Sequence, residues 1–222
     1  MNQDEFLTEI IGKPVYNIDD PFDYHEDYKR GALYCCKTDN LNDANGLSSE
    51  GFWLVSTEIQ LSRAVPVNYF GPYWKAGAVS YEREQILDIA ESSFIYDRFH
   101  NDPYISDVIA GRIKRQWALN YLMKKRGDFV LAVLGGFLCI LKRPGEYVID
   151  LIGVDKNERR KGIGKKLIQQ LFSCIREESF PSVGNCRIVV GTQLDNIPSL
   201  KLYQAMGFDQ IDGFNYVFHL HT

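Results

Sequence analysis

Val154-Asp155-Lys156-Asn157-Glu158-Arg159-Arg160-Lys161-Gly162-Ile163-Gly164-Lys165 is the stretch on which the reading of this chain turns. Upstream of it, Glu146 to Val154 (EYVIDLIGV) reads as a strand. Downstream, Ile163, Leu167, Ile168, Leu171, Cys174 and Ile175 form one apolar stripe at helical spacing over Ile163 to Glu178, with Lys165, Lys166, Gln169, Gln170 and Glu177 opposite. A strand, a basic glycine-rich turn and an amphipathic helix thus follow one another directly. That order points unbonded N–H groups and the positive end of the helix dipole out of the turn, the physics of a phosphate cradle. Glycines let a bulky pyrophosphate approach the backbone, and Arg159, Arg160 and Lys161 add longer-range attraction. Two familiar phosphate loops fail on these residues. A Walker A loop requires Gly and a hydroxyl where Arg159 and Lys166 stand. A dinucleotide fingerprint requires a small residue where Leu167 stands. The plain alternative is a solvated basic turn before a surface helix.

The 222 residues are 45% hydrophobic and 13% aromatic, values of a soluble globular protein able to bury a sizeable core. With 25 Lys and Arg against 29 Asp and Glu the net charge is -4, which argues against a general grip on nucleic acid or on an anionic membrane. No apolar run reaches the ~18 residues that a membrane helix needs. The start Met1-Asn2-Gln3-Asp4-Glu5 is acidic and lacks the pattern of a signal peptide, so the chain reads as cytoplasmic. Cys35 and Cys36 are adjacent, and Cys139, Cys174 and Cys186 lie in apolar runs, so neither a disulfide framework nor a paired metal site is expected. His25, His100, His219 and His221 have no ligand spacing, and no metal is expected.

Working outward, Asp39 to Glu50 is dense in Asn, Asp, Gly and Ser and reads as a turn region. Gly51 to Leu61 reads as a strand. Pro66 to Gly77 is a Pro- and Gly-bearing aromatic loop, and a boundary is placed there between a smaller N-terminal portion, 1–75, on the substrate side, and a main domain, 76–222. Apolar spacing predicts helices over Glu82 to Phe99 and Ile105 to Lys125. Asp128 to Leu141 reads as a hairpin turned by Gly135-Gly136. Cys186 to Val190 is a short strand, Pro198 to Met206 a helix capped by Asn196 and closed by Gly207, and Tyr216 to Leu220 a final strand. The order gives an α/β fold, helices flanking one mixed sheet.

Two motifs now narrow the class. Arg159-x-x-Gly162-x-Gly164 resembles the R/Q-x-x-G-x-G/A signature of the GNAT acyl-CoA N-acyltransferases. Asn196-Ile197-Pro198-Ser199-Leu200-Lys201-Leu202-Tyr203-Gln204-Ala205-Met206-Gly207-Phe208 resembles the second signature of that family, N-x-x-A-x-x-L-Y-x-x-x-G-F, with Ser199 in place of Ala. They occur in the family's order with a strand between them. The resemblance implies the GNAT fold, a mixed, mostly antiparallel central sheet flanked by helices, and acetyl-CoA as cosubstrate. It implies that Ile152, Gly153 and Val154 hold the pantetheine arm, that the turn of Arg159, Arg160, Lys161, Gly162, Ile163, Gly164 and Lys165 holds the pyrophosphate, and that Asn196 bridges to the arm or to water. A backbone N–H near Val154 would polarise the thioester carbonyl. Tyr203 would protonate the leaving thiolate, although a phenol near ~10 against a thiol near ~8.5 leaves that transfer uphill by about 2 kcal/mol.

A looser likeness spans most of the chain. Gly191-Thr192-Gln193-Leu194-Asp195-Asn196 with Leu200 and Tyr203, Gly51-Phe52-Trp53-Leu54-Val55 with Glu58, and Phe94 to Tyr104 are similar to bacterial dTDP-fucosamine acetyltransferases, which acetylate a nucleotide-linked amino sugar for surface polysaccharide. That likeness implies a nucleotide-amino-sugar substrate, Glu58 as general base, Arg98 on the nucleotide phosphates, and Phe99 and Tyr104 stacked on base or sugar. Ser56 departs from it, standing where an acidic residue is expected. The other readings of these residues stay open: Glu58 as a solvent-facing strand residue, Arg98 in a surface ion pair, Phe99 and Tyr104 in the core. Another amine (a protein N-terminus, lysine, polyamine or antibiotic) and a noncatalytic acyl-CoA-binding module are the alternative functions. Edge strands of such a sheet are compatible with a homodimer.

Overall fold

The computed structural model describes residues 1–19, 28–65, 83–179 and 186–222. Its elements run β1 (Asn2–Gln3), α1 (Glu5–Ile11), β2 (Val15–Ile18), β3 (Leu33–Thr38), α2 (Leu41–Ser49), β4 (Trp53–Ala64), α3 (Arg83–Ser93), α4 (Asp107–Leu122), β5 (Phe129–Val133), β6 (Gly136–Arg143), β7 (Glu146–Val154), α5 (Ile163–Ser179), β8 (Arg187–Gln193), α6 (Ile197–Ala205) and β9 (Gln210–His221). All strands join one sheet in the order β1-β2-β3-β9-β4-β8-β7-β6-β5. Among the described strands, only β2 with β3 and β7 with β8 run parallel, so the expected mixed, mostly antiparallel α/β architecture is present.

Local chemistry accounts for the elements that frame the site. β7 alternates between buried and half-buried residues along its whole length, as its sequence requires. The stripe of α5 packs Ile163, Leu167, Ile168 and Leu171 against β5, β6 and β7 on one sheet face. On the other face, α3 and α4 cover Ala132, Phe137, Cys139 and Leu151. Asn196 caps α6 by accepting from the Ser199 N–H at 3.2 Å, and Gly207 closes it at φ +78°.

Four expectations are corrected. Residues 41–49 form α2 rather than a turn, because Asn40 accepts from the N–H groups of Asn42 and Asp43 while Ala44 and Leu47 are buried. Residues that favour turns also make the best helix caps, and a docked apolar face decides between the two. The helix expected to Phe99 ends at Ser93, and beyond it Asp97 and Asp102 turn the chain by accepting from the N–H groups of Phe99 and Tyr104. In the hairpin only Gly135 has positive φ. Gly136 is small because a Cβ there would stand 2.7 Å from Ile163 Cγ2. The final strand, β9, is 12 residues long rather than five, continuing through a bulge at Asp212.

The strand read in the N-terminal portion is central. β4 lies between β8 and β9 and pairs antiparallel with both. The aromatic loop 66–77 and the boundary placed in it lie outside the described residues. Among the described residues, no helix is long and apolar enough to cross a membrane.

Candidate active site

The site begins where two strands part. β7 and β8 pair from Glu146 with Arg187 to Ile149 with Val190, and there the parallel ladder ends. Beyond it, β8 continues against β4 alone, Gly191 facing Gln60 and Gln193 facing Glu58, while β7 continues against β6 alone to Val154. The β6–β7 register also shifts, so that Leu151 faces Cys139 and Ile149 faces Ile140, leaving Asp150 as the extra residue of a bulge. The result is a wedge between β7 and β8. Along one side, the backbone from Asp150 to Val154 has no strand partner, which suits an extended polar chain threaded into the sheet. Ile152 and Val154 stand on that edge. The Val154 carbonyl already accepts from Ser93 Oγ at 3.2 Å and Arg159 Nε at 3.3 Å. Gly153 has a packing reason, since a Cβ there would lie 2.6 Å from Phe137 Cε1.

The turn after β7 gathers unbonded backbone donors and exposed cations. Among the described residues, the backbone N–H groups from Arg159 through Lys165 have no acceptor. The first bond into the helix is Lys166 N–H to Gly162 O at 3.0 Å. Arg160 and Gly162 hold φ of +69° and +82°, and Gly162 opens onto empty space. The exposed cations are divided in role. Arg160 and Lys165 have no ion-pair partner among the described residues, whereas Lys161 bonds Glu158 at 2.9 Å. Arg159 donates to the carbonyls of Val154 and Ser93, bracing the turn against α3. The side chain of Ile163 is core, so only its N–H faces outward. At Gly164 a Cβ would meet Leu202 Cδ2 at 2.8 Å, so this glycine also lets α6 approach.

Tyr203 sits on α6 in the α5-side core, 2% exposed, its ring 5.6 Å from Phe208. Burial pushes its pKa well above the ordinary phenol value, and its hydroxyl has no hydrogen-bonding partner among the described residues. Asn196 spends its Oδ1 on the helix cap and keeps its Nδ2 amide.

The face under α4 holds the polar groups. Glu58 Oε2 accepts from Lys37 Nζ at 2.5 Å. Asp150 Oδ2 accepts from Tyr121 OH at 2.7 Å and Arg126 Nε at 3.0 Å, tying the bulge to α4 and the segment after it. Burial first, and then the neighbouring Asp150 charge, push the Tyr121 phenol up. Lys114 is 7% exposed, ringed by Phe94, Phe99 and Trp117, with Asp97 at 3.9 Å. Burial lowers its pKa against the pull of that carboxylate. Asp150, Tyr121 and Lys114 escaped sequence reasoning, because each lies inside an ordinary strand or helix pattern. Only the acid within the apolar run of β7 was a visible irregularity.

Of the predicted acceptor residues, Phe99 is corrected: at 1% exposure it is core and offers no face for stacking. Arg98 lies over that ring at 4.7 Å with no carboxylate partner among the described residues. Tyr104 is 61% exposed, beside Trp53 and 4.8 Å from the His221 ring. His219 and His221 do cluster with Asp102, whose Oδ2 lies 2.6 Å from His219 Nδ1 and 2.7 Å from His221 Nε2. These are hydrogen-bond separations, and Lys13 Nζ stands 2.7 Å from the other His221 nitrogen. The chain Lys13–His221–Asp102–His219 is a brace between the end of β9 and the 97–106 segment.

Residues 83–208 match the family described as the acetyltransferase (GNAT) family. Over 173 residues the chain is 27% identical to the spore coat polysaccharide biosynthesis protein SpsD of Bacillus subtilis, covering 72% of this chain and 56% of that protein. The chain thus spans about half the length of this curated relative. Among solved structures, a functionally unknown conserved protein of Staphylococcus epidermidis superposes with a TM-score of 0.56 at 11% identity, over 86% of this chain and 73% of that one. A GCN5-related N-acetyltransferase of Sphaerobacter thermophilus gives 0.54 at 12% identity, over 86% and 60%. At these identities the structural likenesses speak for the fold alone.

Proposed function

This chain belongs to the GNAT family of acetyl-CoA-dependent acetyltransferases, and from that premise we propose that it acetylates the amine of a nucleotide-linked 4-amino-4,6-dideoxy sugar used in surface polysaccharide synthesis. The observation that carries acetyl transfer is the wedge at Asp150, where an unpaired strand edge leads to a turn of unbonded N–H groups. The residues present fit the cosubstrate. The edge from Ile152 to Val154 takes the pantetheine arm, and the N–H groups of Arg159 to Lys165, with Arg160 and Lys165, take the pyrophosphate. Bound acetyl-CoA supplies an activated thioester.

The chain's own groups then divide the work. Backbone N–H groups at the bulge polarise the thioester carbonyl, nearer Asp150 than the Val154 implied by the family resemblance, since the β7–β8 ladder ends there. Asp150, with Oδ1 accepting nothing among the described residues, takes the proton of the incoming amine. Glu58, bound to Lys37, is the second carboxylate of that face. Tyr203 donates a hydrogen bond to the departing sulfur. The sugar substrate is supported by the polysaccharide role in the name of the Bacillus subtilis relative and by the likeness of residues 51–58 and 191–203 to nucleotide-amino-sugar acetyltransferases.

A thiol-release assay with acetyl-CoA tests this against a panel: a thymidine-diphosphate-linked 4-amino sugar, a peptide N-terminus, a lysine peptide, a polyamine and an aminoglycoside. The expected outcome is a kcat/KM for the nucleotide sugar at least 100-fold above the others. Preference for another amine overturns the substrate, and absence of coenzyme A binding by calorimetry overturns the enzyme.

A further inference from the structure

A cleft of about 220 Å³ lies just below the wedge, bordered by Gln60 of β4, Val148 and Asp150 of β7, Val189 and Gly191 of β8, and Arg143 at the end of β6. Val148 faces Val189, and Gln60 faces Gly191, so the floor is the sheet face turned away from α5. Its composition is uneven. The floor is aliphatic, and the Gly191 backbone leaves open space where any side chain would intrude. Asp150 stands at the wedge end. Arg143, at the start of the β6–β7 turn, is exposed and has no carboxylate partner among the described residues. Among the described residues it shares this with Arg98 and Arg160, whereas Arg115, Arg126 and Arg187 are ion-paired.

We infer that this cleft seats the acceptor of the acetyl-transfer reaction and that Arg143 holds an anionic group on it, phosphate or carboxylate oxygens, while the amine lies at Asp150. The inference rests on the acetyl-transfer reading above and adds to it a recognition element at the far end of the acceptor. A carboxylate at one end and a cation at the other suit a molecule with an amine and a separated anion. They do not suit a polycation. The guanidinium fork matches two anionic oxygens at once, which a lysine at the same place would not. A nucleotide-linked amino sugar has these features, with its diphosphate toward Arg143.

The test uses the full-length protein saturated with coenzyme A, so that the pyrophosphate turn is filled. Thymidine diphosphate, and separately aspartate as a carboxylate probe, are titrated by calorimetry into wild type, Arg143→Ala, Arg143→Lys and Gly191→Val. At least one probe is expected to bind wild type, to weaken tenfold or more in Arg143→Ala and Gly191→Val, and to recover only in part in Arg143→Lys. Coenzyme A affinity should stay unchanged in all three variants. Binding of neither probe, or binding indifferent to Arg143 and Gly191, overturns the inference. Thymidine diphosphate binding through Arg143 without turnover of any nucleotide sugar would sink the substrate proposal and leave this cleft standing. Turnover of the sugar with a KM unmoved by Arg143→Ala would do the reverse.

Discussion

Replacing Tyr203 by Phe removes one oxygen from a side chain that is 2% exposed and has no hydrogen-bonding partner for its hydroxyl among the described residues. No internal bond is lost and the ring still packs on Phe208, so stability should change by no more than about 0.5 kcal/mol. The kinetic effect follows from acidity. A free phenol is already a weaker acid than a thiol by roughly 1.5 units, about 2 kcal/mol. Burial pushes Tyr203 further up, so complete proton transfer to the sulfur is more uphill still. What remains is hydrogen-bond donation to a sulfur gaining charge, worth roughly 1.5–3 kcal/mol. That range converts to a fall in kcat of roughly 10- to 150-fold. Coenzyme A affinity, measured by calorimetry, should not move, and wild type should show no alkaline loss of kcat from this group below pH ~10. Near-normal kcat in Tyr203→Phe would remove the hydroxyl from the reaction. A fall accompanied by a large drop in melting temperature would show that the ring's packing had been mistaken for chemistry.

Gly164→Ala should lower stability by at most about 1 kcal/mol in urea unfolding, because the new methyl meets only the flexible end of Leu202 and a helical alanine offsets part of the loss. Combining it with Leu202→Ala should lose less than the sum of the two single losses. Burial lowers the His219 ring to about 4, whereas in the unfolded chain it titrates near ~6.5. Between those values only the unfolded state gains the proton, so stability is complete above pH ~6.5 and declines by up to about 3 kcal/mol as pH falls to ~4. Urea midpoints at pH 7 and 4.5 measure this, and a slope that persists in His219→Gln would assign it elsewhere. Burial would raise Asp102, but the hydrogen bonds from His219 and His221 outweigh it and hold this carboxyl below the usual range, so a further loss is expected under pH ~4. Asp150→Asn should reduce kcat by at least 100-fold with coenzyme A affinity kept. Glu58→Gln should do less, and the opposite ranking would transfer the base to β4.

Much of the site's scaffold was legible before any coordinates. The alternation in Glu146 to Val154, the stripe from Ile163 and the Asn196 cap are local properties, set by side chains within a few residues of one another, and each became the expected element. Local pattern misled where one residue type serves two structures, as at Asn40, which caps α2 instead of turning the chain. It also misled where burial decided, as at Phe99 in the core.

What the sequence by itself determined is the strand–turn–helix unit with its basic, glycine-bearing turn, since backbone hydrogen bonds, caps and dipoles arise between near neighbours. Only the tertiary structure decided that β4 enters the sheet between β8 and β9, that β7 and β8 part after Ile149 and Val190, and that Asp150 bulges toward Tyr121 and Arg126. Those outcomes depend on the register between strands far apart in the chain. A shift of one residue would reverse which face every side chain meets, and no local pattern carries that information.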